Sequence, residues 1–213
     1  VRGSDFVVVR TPVRHIEEVL AEIAPLVREG SLVTDVGSVK GSICQVAETV
    51  FGDTDATFIG SHPMAGSDKT GMDHARSDLF ENRPCFITPE SGTQPSLIQN
   101  LSSFWQKLGM TVTTATASEH DEIVAHVSHL PHAVASAVCY LLAQRSHEWS
   151  NLTGQGLRDT TRVAAGDPAL WEEIFGQNRE ALLAALESFE KTCGQLREAL
   201  AEGDPASSRR AAR

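Results

Sequence analysis

Short apolar runs alternating with helical periodicity organise the first half of the chain. Phe6-Val7-Val8-Val9 predicts a buried strand running to Arg10 and ended by Thr11-Pro12-Val13. From about His15 to Arg28 the apolar residues Ile16, Val19, Leu20, Ile23 and Leu26 recur at helical spacing, and Gly30 stops that helix. Ser31 to Val36 reads as a second strand, a helix starts near Lys40 and runs to about Val50, and Thr57 to Ile59 reads as a third strand. Residues Gly66 to Pro84 are polar and irregular, with a short helix expected near Asp73 to Leu79. Cys85 to Thr88 predicts a strand, Gln94 to Leu108 a helix, and Met110 to Thr114 a last strand. Alternation of this kind predicts a parallel sheet flanked by helices.

After Thr116 the pattern changes. Ser118-Glu119-His120-Asp121 reads as a helix start with carboxylates in its first turn, and helix-compatible sequence continues to about Arg145. Ala133 to Ala143 is apolar nearly all round, as for a helix buried on several sides. Another helix is expected from about Asp167 to Ala201, with Gly176 and Gly194 as the places for an interruption, and no strand signal follows Thr114. The expected fold is therefore α/β: a partial Rossmann-type parallel-sheet domain over residues 1–116, an all-helical domain over 117–202, and a disordered tail over 203–213. No flexible linker separates the two domains, so a rigid junction is expected. The apolar helix needs covering, either by a second copy in a homodimer or within a monomeric bundle.

The 213 residues carry a net charge of −10, which argues against a nucleic-acid or anionic-membrane partner. No apolar run is long enough to span a bilayer, and no signal peptide is visible. The four cysteines lie far apart without zinc spacing and read as reduced thiols of a cytoplasmic protein.

Two strings carry candidate chemistry: Asp35-Val36-Gly37-Ser38-Val39-Lys40-Gly41 and Gly60-Ser61-His62-Pro63-Met64-Ala65-Gly66. Each follows a strand, and ligands of open α/β sheets bind beyond the carboxyl ends of strands. Ser38, Lys40 and His62 are thereby expected to form one cluster, with His62 the residue suited to accept a proton near neutral pH. Thr11, Pro12 and Ser38 follow the first two strands and are the candidates for cofactor contact. Ser38 also reads as a helix N-cap, and Lys40 as a solvated first-turn lysine.

These strings closely resemble the prephenate/arogenate dehydrogenase family. So do Val127-Ser128-His129-Leu130-Pro131-His132-Ala133, similar to a helical substrate motif, and Asp159-Thr160-Thr161-Arg162 with Asp167-Pro168 and Trp171, similar to a carboxylate-binding segment. The resemblance runs from about Asp5 to about Leu200. It implies NAD(P)-dependent oxidative decarboxylation of prephenate or arogenate, with NAD or NADP as cofactor, the small-molecule substrate as partner, and a dimer built through the helical domain. On this resemblance His62 is the catalytic base, assisted by Ser38. His129 and His132 contact the substrate, Arg162 grips a substrate carboxylate, and Trp171 lies near the site. Ser67 and Asp68 stand where the family often has a Thr-Glu pair, and could gate the pocket. Lys40 could supply positive charge near the substrate.

Other readings stay open. His62 could be a structural turn histidine, Arg162 or its neighbour Arg158 a surface ion-pair residue, and Trp171 a core residue. His126, His129 and His132 recur every three residues, a spacing that raises metal ligation, substrate contact or plain packing, with His126 outside the matched motif. The remaining histidines, His15, His74, His120 and His147, read as surface residues. No Gly-x-Gly-x-x-Gly loop occurs in the chain, so the resemblance leads to the expectation of an N-terminally incomplete dehydrogenase whose phosphate loop lies upstream of Val1. The rivals are a non-catalytic module that binds a carboxylated ligand or dimerises, and a related β-hydroxyacid dehydrogenase.

Overall fold

In the computed structural model the described residues are 1–66 and 72–203. Ser67 and Asp68, and the tail after Gly203, lie outside them. Three strands form a parallel sheet in the order β1 (Phe6–Val9), β2 (Leu32–Asp35), β3 (Thr57–Phe58), and three more form a second sheet in the order β4 (Gly60–Pro63), β5 (Pro84–Thr88), β6 (Thr111–Thr114). Helices α1 (Val13–Ile23), α2 (Gly41–Phe51) and α3 (Pro95–Lys107) connect them.

The period-2 alternation of β2 explains why it is buried throughout: Val33 packs among Ile16, Leu20 and Ile43 of α1 and α2, whereas Leu32 packs on the opposite side with Leu101 and Trp105 of α3. Layers of helix on both faces are what an open α/β sheet requires.

The expected parallel sheet is present in the pairs β1–β2, β2–β3 and β5–β6, and one pair, β4–β5, departs from it. Ile59 still donates to Val33 O (2.9 Å), but from Gly60 the same stretch of chain leaves β2 and runs antiparallel to β5, with His62 opposite Phe86. Among the described residues no α-helix lies between β4 and β5, and a pair joined without a helical crossover runs antiparallel. His62 thus sits on a strand rather than in the loop beyond one. Gly60 makes the switch possible: a Cβ there would lie 2.5 Å from Thr88 Oγ1 and 3.1 Å from Lys40 Cδ. The helix expected near Asp73 to Leu79 is reduced to one 3₁₀ turn, Met72–His74.

The second half is helical: α4 (Ala117–Val124), α5 (Leu130–Ala143), α6 (Gln155–Thr161), α7 (Pro168–Gln177) and α8 (Arg179–Glu202). Helices α4 and α5 form one rod widened by a π turn over Ala125–His129, where Leu130 N donates to Ala125 O. Pro131 has no N–H for the preceding turn, and the wider register accommodates it. The break in the last expected helix falls at Asn178, not at Gly176, and Gly194 lies within an uninterrupted α8. Among the described residues no helix is long and apolar enough to cross a membrane.

Candidate active site

Three elements meet at His62. Strand β4 carries it, β5 lies beside it, and the first turns of α4 close over it. His62 is 8% exposed, and its Nδ1 lies 2.8 Å from Nε2 of His120, which is fully buried. His120 Nδ1 lies 2.8 Å from Asp121 Oδ1. The His120 ring stands edge-on between His62 and Phe86, with centroids at 5.1 and 5.2 Å. Reading His120 as a surface residue is therefore overturned. Its sequence neighbourhood looked like an ordinary helix start, because Glu119 does form a capping box with Thr116.

Asp121 instead serves a different helix. Its Oδ1 and Oδ2 accept the backbone N–H groups of Lys40 and Gly41, each at 2.8 Å, so α2 is capped by a carboxylate from the helical half. Ser38 does not cap α2; it lies half-buried in the turn after β2. Burial alone would raise the Asp121 carboxyl, but the His120 hydrogen bond and the two backbone donors outweigh it and hold it below its ordinary range.

The carboxylate sets the protons along this row. An ionised Asp121 only accepts, so His120 Nδ1 carries a proton towards it and His120 Nε2 is left as a lone pair. His62 Nδ1–H then donates to that lone pair, and His62 Nε2 is an acceptor with no hydrogen-bond partner among the described residues. Burial, followed by the charges of His120, Lys40 and His129, pushes His62 well below the ordinary histidine value, so it is unprotonated at neutral pH and able to accept a proton.

Lys40 is neither solvated nor exposed to the site. It and Asp35 are both fully buried and form an ion pair. The Asp35 carboxylate also accepts Gly37 N at 2.7 Å and Ser61 N at 3.1 Å, which ties the turn after β2 to the residue preceding His62. Ser61 Oγ in turn bonds Thr34 Oγ1 (2.7 Å) and receives Trp105 Nε1–H (3.0 Å). His62 is thus mounted on a segment held from both sheet faces.

The three histidines of the rod diverge. His126 is exposed and donates Nδ1–H to Glu122 O at 2.9 Å. His129 is 1% exposed, with Nδ1 3.0 Å from Asn178 Nδ2, and burial pushes it down to about 4. His132 stacks on Trp171 with centroids 3.6 Å apart and an interplanar angle of 12°. No group of three metal-ligating side chains converges among the described residues.

His132 and Trp171 line a cavity of about 420 Å³ with Ser136, Gly166, Glu172 and Phe175. Gly166 lets the chain cross the indole: a Cβ there would lie 2.5 Å from Trp171 Nε1. His129, whose ring lies 6.2 Å from Trp171, is linked to Asp121 of the His62 row through Asn178, whose Nδ2 bonds both. Arg162 opens a 3₁₀ turn, Arg162–Ala165, and is exposed, as is Arg158 in α6. Thr11 follows β1, with its hydroxyl oxygen buried and without a hydrogen-bond partner among the described residues, and Pro12 is the N-cap of α1.

Comparison with known proteins agrees with this arrangement. A family model described as prephenate dehydrogenase, nucleotide-binding domain, matches residues 1–114, and a second, prephenate dehydrogenase, dimerization domain, matches 116–210. The cyclohexadienyl dehydrogenase of Zymomonas mobilis is 32% identical over 210 residues, which are 96% of this chain and 70% of that one. The prephenate dehydrogenase of Lactococcus lactis is 34% identical, over 88% of this chain and 52% of its own length, so this chain spans about half of that relative. Among solved structures, prephenate dehydrogenase from A. aeolicus in complex with hydroxyphenyl propionate and NAD+ superposes with a TM-score of 0.84 at 34% identity, over 93% of this chain and 70% of that one. Arogenate dehydrogenase of Synechocystis gives 0.87 at 31% identity, over 98% and 75%.

A nucleotide-binding sheet domain followed by a helical dimerisation domain, with a buried histidine on β4 held against α4, is the arrangement of the nicotinamide-dependent dehydrogenase class. The chain belongs to the prephenate dehydrogenase family.

Proposed function

We propose that this chain provides the substrate site and the nicotinamide-side contacts for oxidative decarboxylation of prephenate to 4-hydroxyphenylpyruvate, or of arogenate to tyrosine. The observation that carries this reading is the Asp121–His120–His62 row, which leaves His62 Nε2 as an oriented, neutral base.

His62 Nε2 accepts the proton of the ring hydroxyl while the carbon bearing it gives up hydride. An oxidised nicotinamide held on the side of Ser38, Thr11 and Pro12 would supply the acceptor for that hydride. The ring becomes a dienone, the carbon–carbon bond to the ring carboxylate breaks, CO2 leaves, and the released electron pair makes the ring aromatic as a phenolate. His62 then returns its proton to the phenolate oxygen, so the base ends as it began. His120 and Asp121 stabilise the protonated His62 between these two transfers.

Ser38, Thr11 and Pro12, on the loops after β1 and β2, fit the nicotinamide side, and the buried unpartnered Thr11 hydroxyl suits a polar group of a dinucleotide. His129, His132 and Trp171 serve the substrate ring and side chain. Arg162, exposed next to the cavity-lining segment, is suited to grip a carboxylate bidentately. Lys40 acts through Asp35 and the electrostatic field at His62. Ser67 and Asp68 follow β4 closely enough in sequence to join this site.

On this reading residues 1–116 form the nucleotide side and 117–202 the substrate and dimer side. Exposed Tyr140 and Leu141 on α5, with Leu183 and Phe189 on α8, support coverage by a second copy. The four cysteines are free thiols, which supports a cytoplasmic setting.

The test is reduction of NAD+ or NADP+ by the purified protein with prephenate and, separately, with arogenate. Turnover with either, accompanied by CO2 release, supports the reading; binding of substrate without turnover of either favours a non-catalytic module.

A further inference from the structure

Asn178 is the single residue separating α7 from α8, with φ −106° and ψ 33°, and it is 4% exposed. Its backbone keeps both helices supplied: Asn178 N donates to Ile174 O, and Leu182 N donates to Asn178 O, each at 3.0 Å. A residue needed only to end a helix has no reason to bury a carboxamide. This one turns inward, and Nδ2 lies 2.8 Å from the backbone carbonyl of Asp121 and 3.0 Å from His129 Nδ1.

The carbonyl of Asp121 can only accept, so it fixes which end of the carboxamide is nitrogen. The two hydrogens of that nitrogen are then assigned, one to Asp121 O and the other to His129 Nδ1. His129 Nδ1 must therefore be a lone pair. A neutral His129 carries its proton on Nε2, the nitrogen with no protein partner among the described residues. Protonation of Nδ1 would set two N–H groups against each other at 3.0 Å.

We propose that Asn178 is a positioning residue that holds His129 in its Nε2–H form, so that His129 offers the substrate a hydrogen bond and takes no part in proton transfer. The inference rests on the reading of this region as the substrate site. It divides labour between two buried histidines. Asp121 orients both, in opposite senses: through its carboxylate it leaves His62 Nε2 as an acceptor, and through its carbonyl and Asn178 it leaves His129 Nε2 as a donor. A donor and an acceptor held by one aspartate suit a substrate bearing both a hydroxyl to be deprotonated and carboxylates to be held. Nothing in the sequence around Asn178 marks it for this role, because an Asn between two helices reads as a cap or turn residue.

The experiment is a long-range proton–nitrogen correlation spectrum of the protein labelled with ¹⁵N-histidine, with the His129 signals identified by their loss in His129→Gln. In the wild-type chain His129 should show a protonated Nε2 and an unprotonated Nδ1. In Asn178→Asp the new carboxylate can only accept, so the proton should move to Nδ1, with kcat/KM falling roughly ten- to a hundredfold. A wild-type His129 protonated on Nδ1 would overturn the proposal whether or not the variant folds. An unchanged His129 pattern in folded Asn178→Asp would overturn it equally. The spectrum is independent of turnover: an Nε2–H His129 in a protein that reduces no NAD(P)+ upholds positioning by Asn178 and overturns the function proposed above.

Discussion

Asp121 Oδ2 accepts the backbone N–H of Gly41 at 2.8 Å across 80 residues of sequence, so the carboxylate of a helix in the second half caps a helix of the first. The same carboxylate receives Lys40 N and His120 Nδ1–H, both at 2.8 Å. Junction and catalytic row therefore share one side chain. Any shift of α4 against α2 would move the group that orients His120, and through it His62. This coupling explains how a base on a sheet strand can be aimed by residues of another layer without a flexible linker.

Replacing Asp121 with Asn should separate its two roles poorly and damage both. The amide nitrogen must face either a backbone N–H of α2 or His120, so at least one donor is left opposed by another donor. A loss of stability of about 1–3 kcal/mol is expected, together with a fall in kcat. Thermal melting and initial rates check this. Glu119→Gln, which alters only the capping box of α4 itself, should leave kcat unchanged; a matching loss there would mean that α4 merely needs its N-terminus intact.

Lys40→Met should be severe for a different reason. It strands the Asp35 carboxylate in a fully buried position, and breaking a buried pair from one side typically costs about 3–5 kcal/mol. The double variant Lys40→Met/Asp35→Asn removes the stranded charge and should recover part of that loss in chemical denaturation. Equal stability of the single variant and the wild type would show that the pair contributes nothing to the fold.

Much of this was legible in the sequence, and what was not has identifiable physical causes. Strand and helix order followed from periodicity, because each element buries one face and its apolar spacing records which. The antiparallel turn of β4 was hidden, since Gly60-Ser61-His62-Pro63 carries no strand pattern and pairs through its backbone with β5. His62 stood out by its flanking residues. His120 did not, because one histidine in a helix's first turn looks the same whether it faces solvent or a second histidine 58 residues away. Lys40 was legible as a residue of interest but not as a buried one; Asp35, the partner that makes its burial tolerable, lies five positions earlier and read as part of a strand. Asn178 was missed because its partners, Asp121 and His129, are 57 and 49 residues distant.

The base itself makes a kinetic prediction. His62→Asn removes the proton acceptor while keeping a small polar side chain opposite Phe86, so kcat should fall by a factor of about 10²–10⁴ with little change in substrate dissociation. Because burial and neighbouring charges hold His62 well below 6.5, the acid limb of the wild-type kcat/KM profile should lie below that value. A pH–rate profile locates it. An acid limb above 6.5, or unchanged turnover in the variant, would remove His62 from the role of base.

His129 supplies the clearest link between pH and stability. In the unfolded chain it titrates near 6.5, and in the fold burial lowers it to about 4, with the attraction of Asp121 opposing that shift and His120 and His132 adding to it. Between those values the unfolded chain holds a proton that the folded chain lacks, so stability rises with pH across the window. Its contribution is complete above 6.5 and is lost as pH falls towards 4, to a limit of roughly 3 kcal/mol. Asn178 reinforces the direction, since its Nδ2–H occupies the nitrogen that an imidazolium would need to protonate. Urea midpoints measured at several pH values from 7 down to 5 should decline in the wild type, and decline less in His129→Gln, where the glutamine oxygen can still accept from Asn178 and nothing at that position titrates. Some slope should persist in the variant, because His62 is shifted in the same direction. Identical pH dependence in the two proteins would mean that His129 is already as hard to protonate in the unfolded chain as in the folded one, and that its burial beside Asn178 has no energetic consequence.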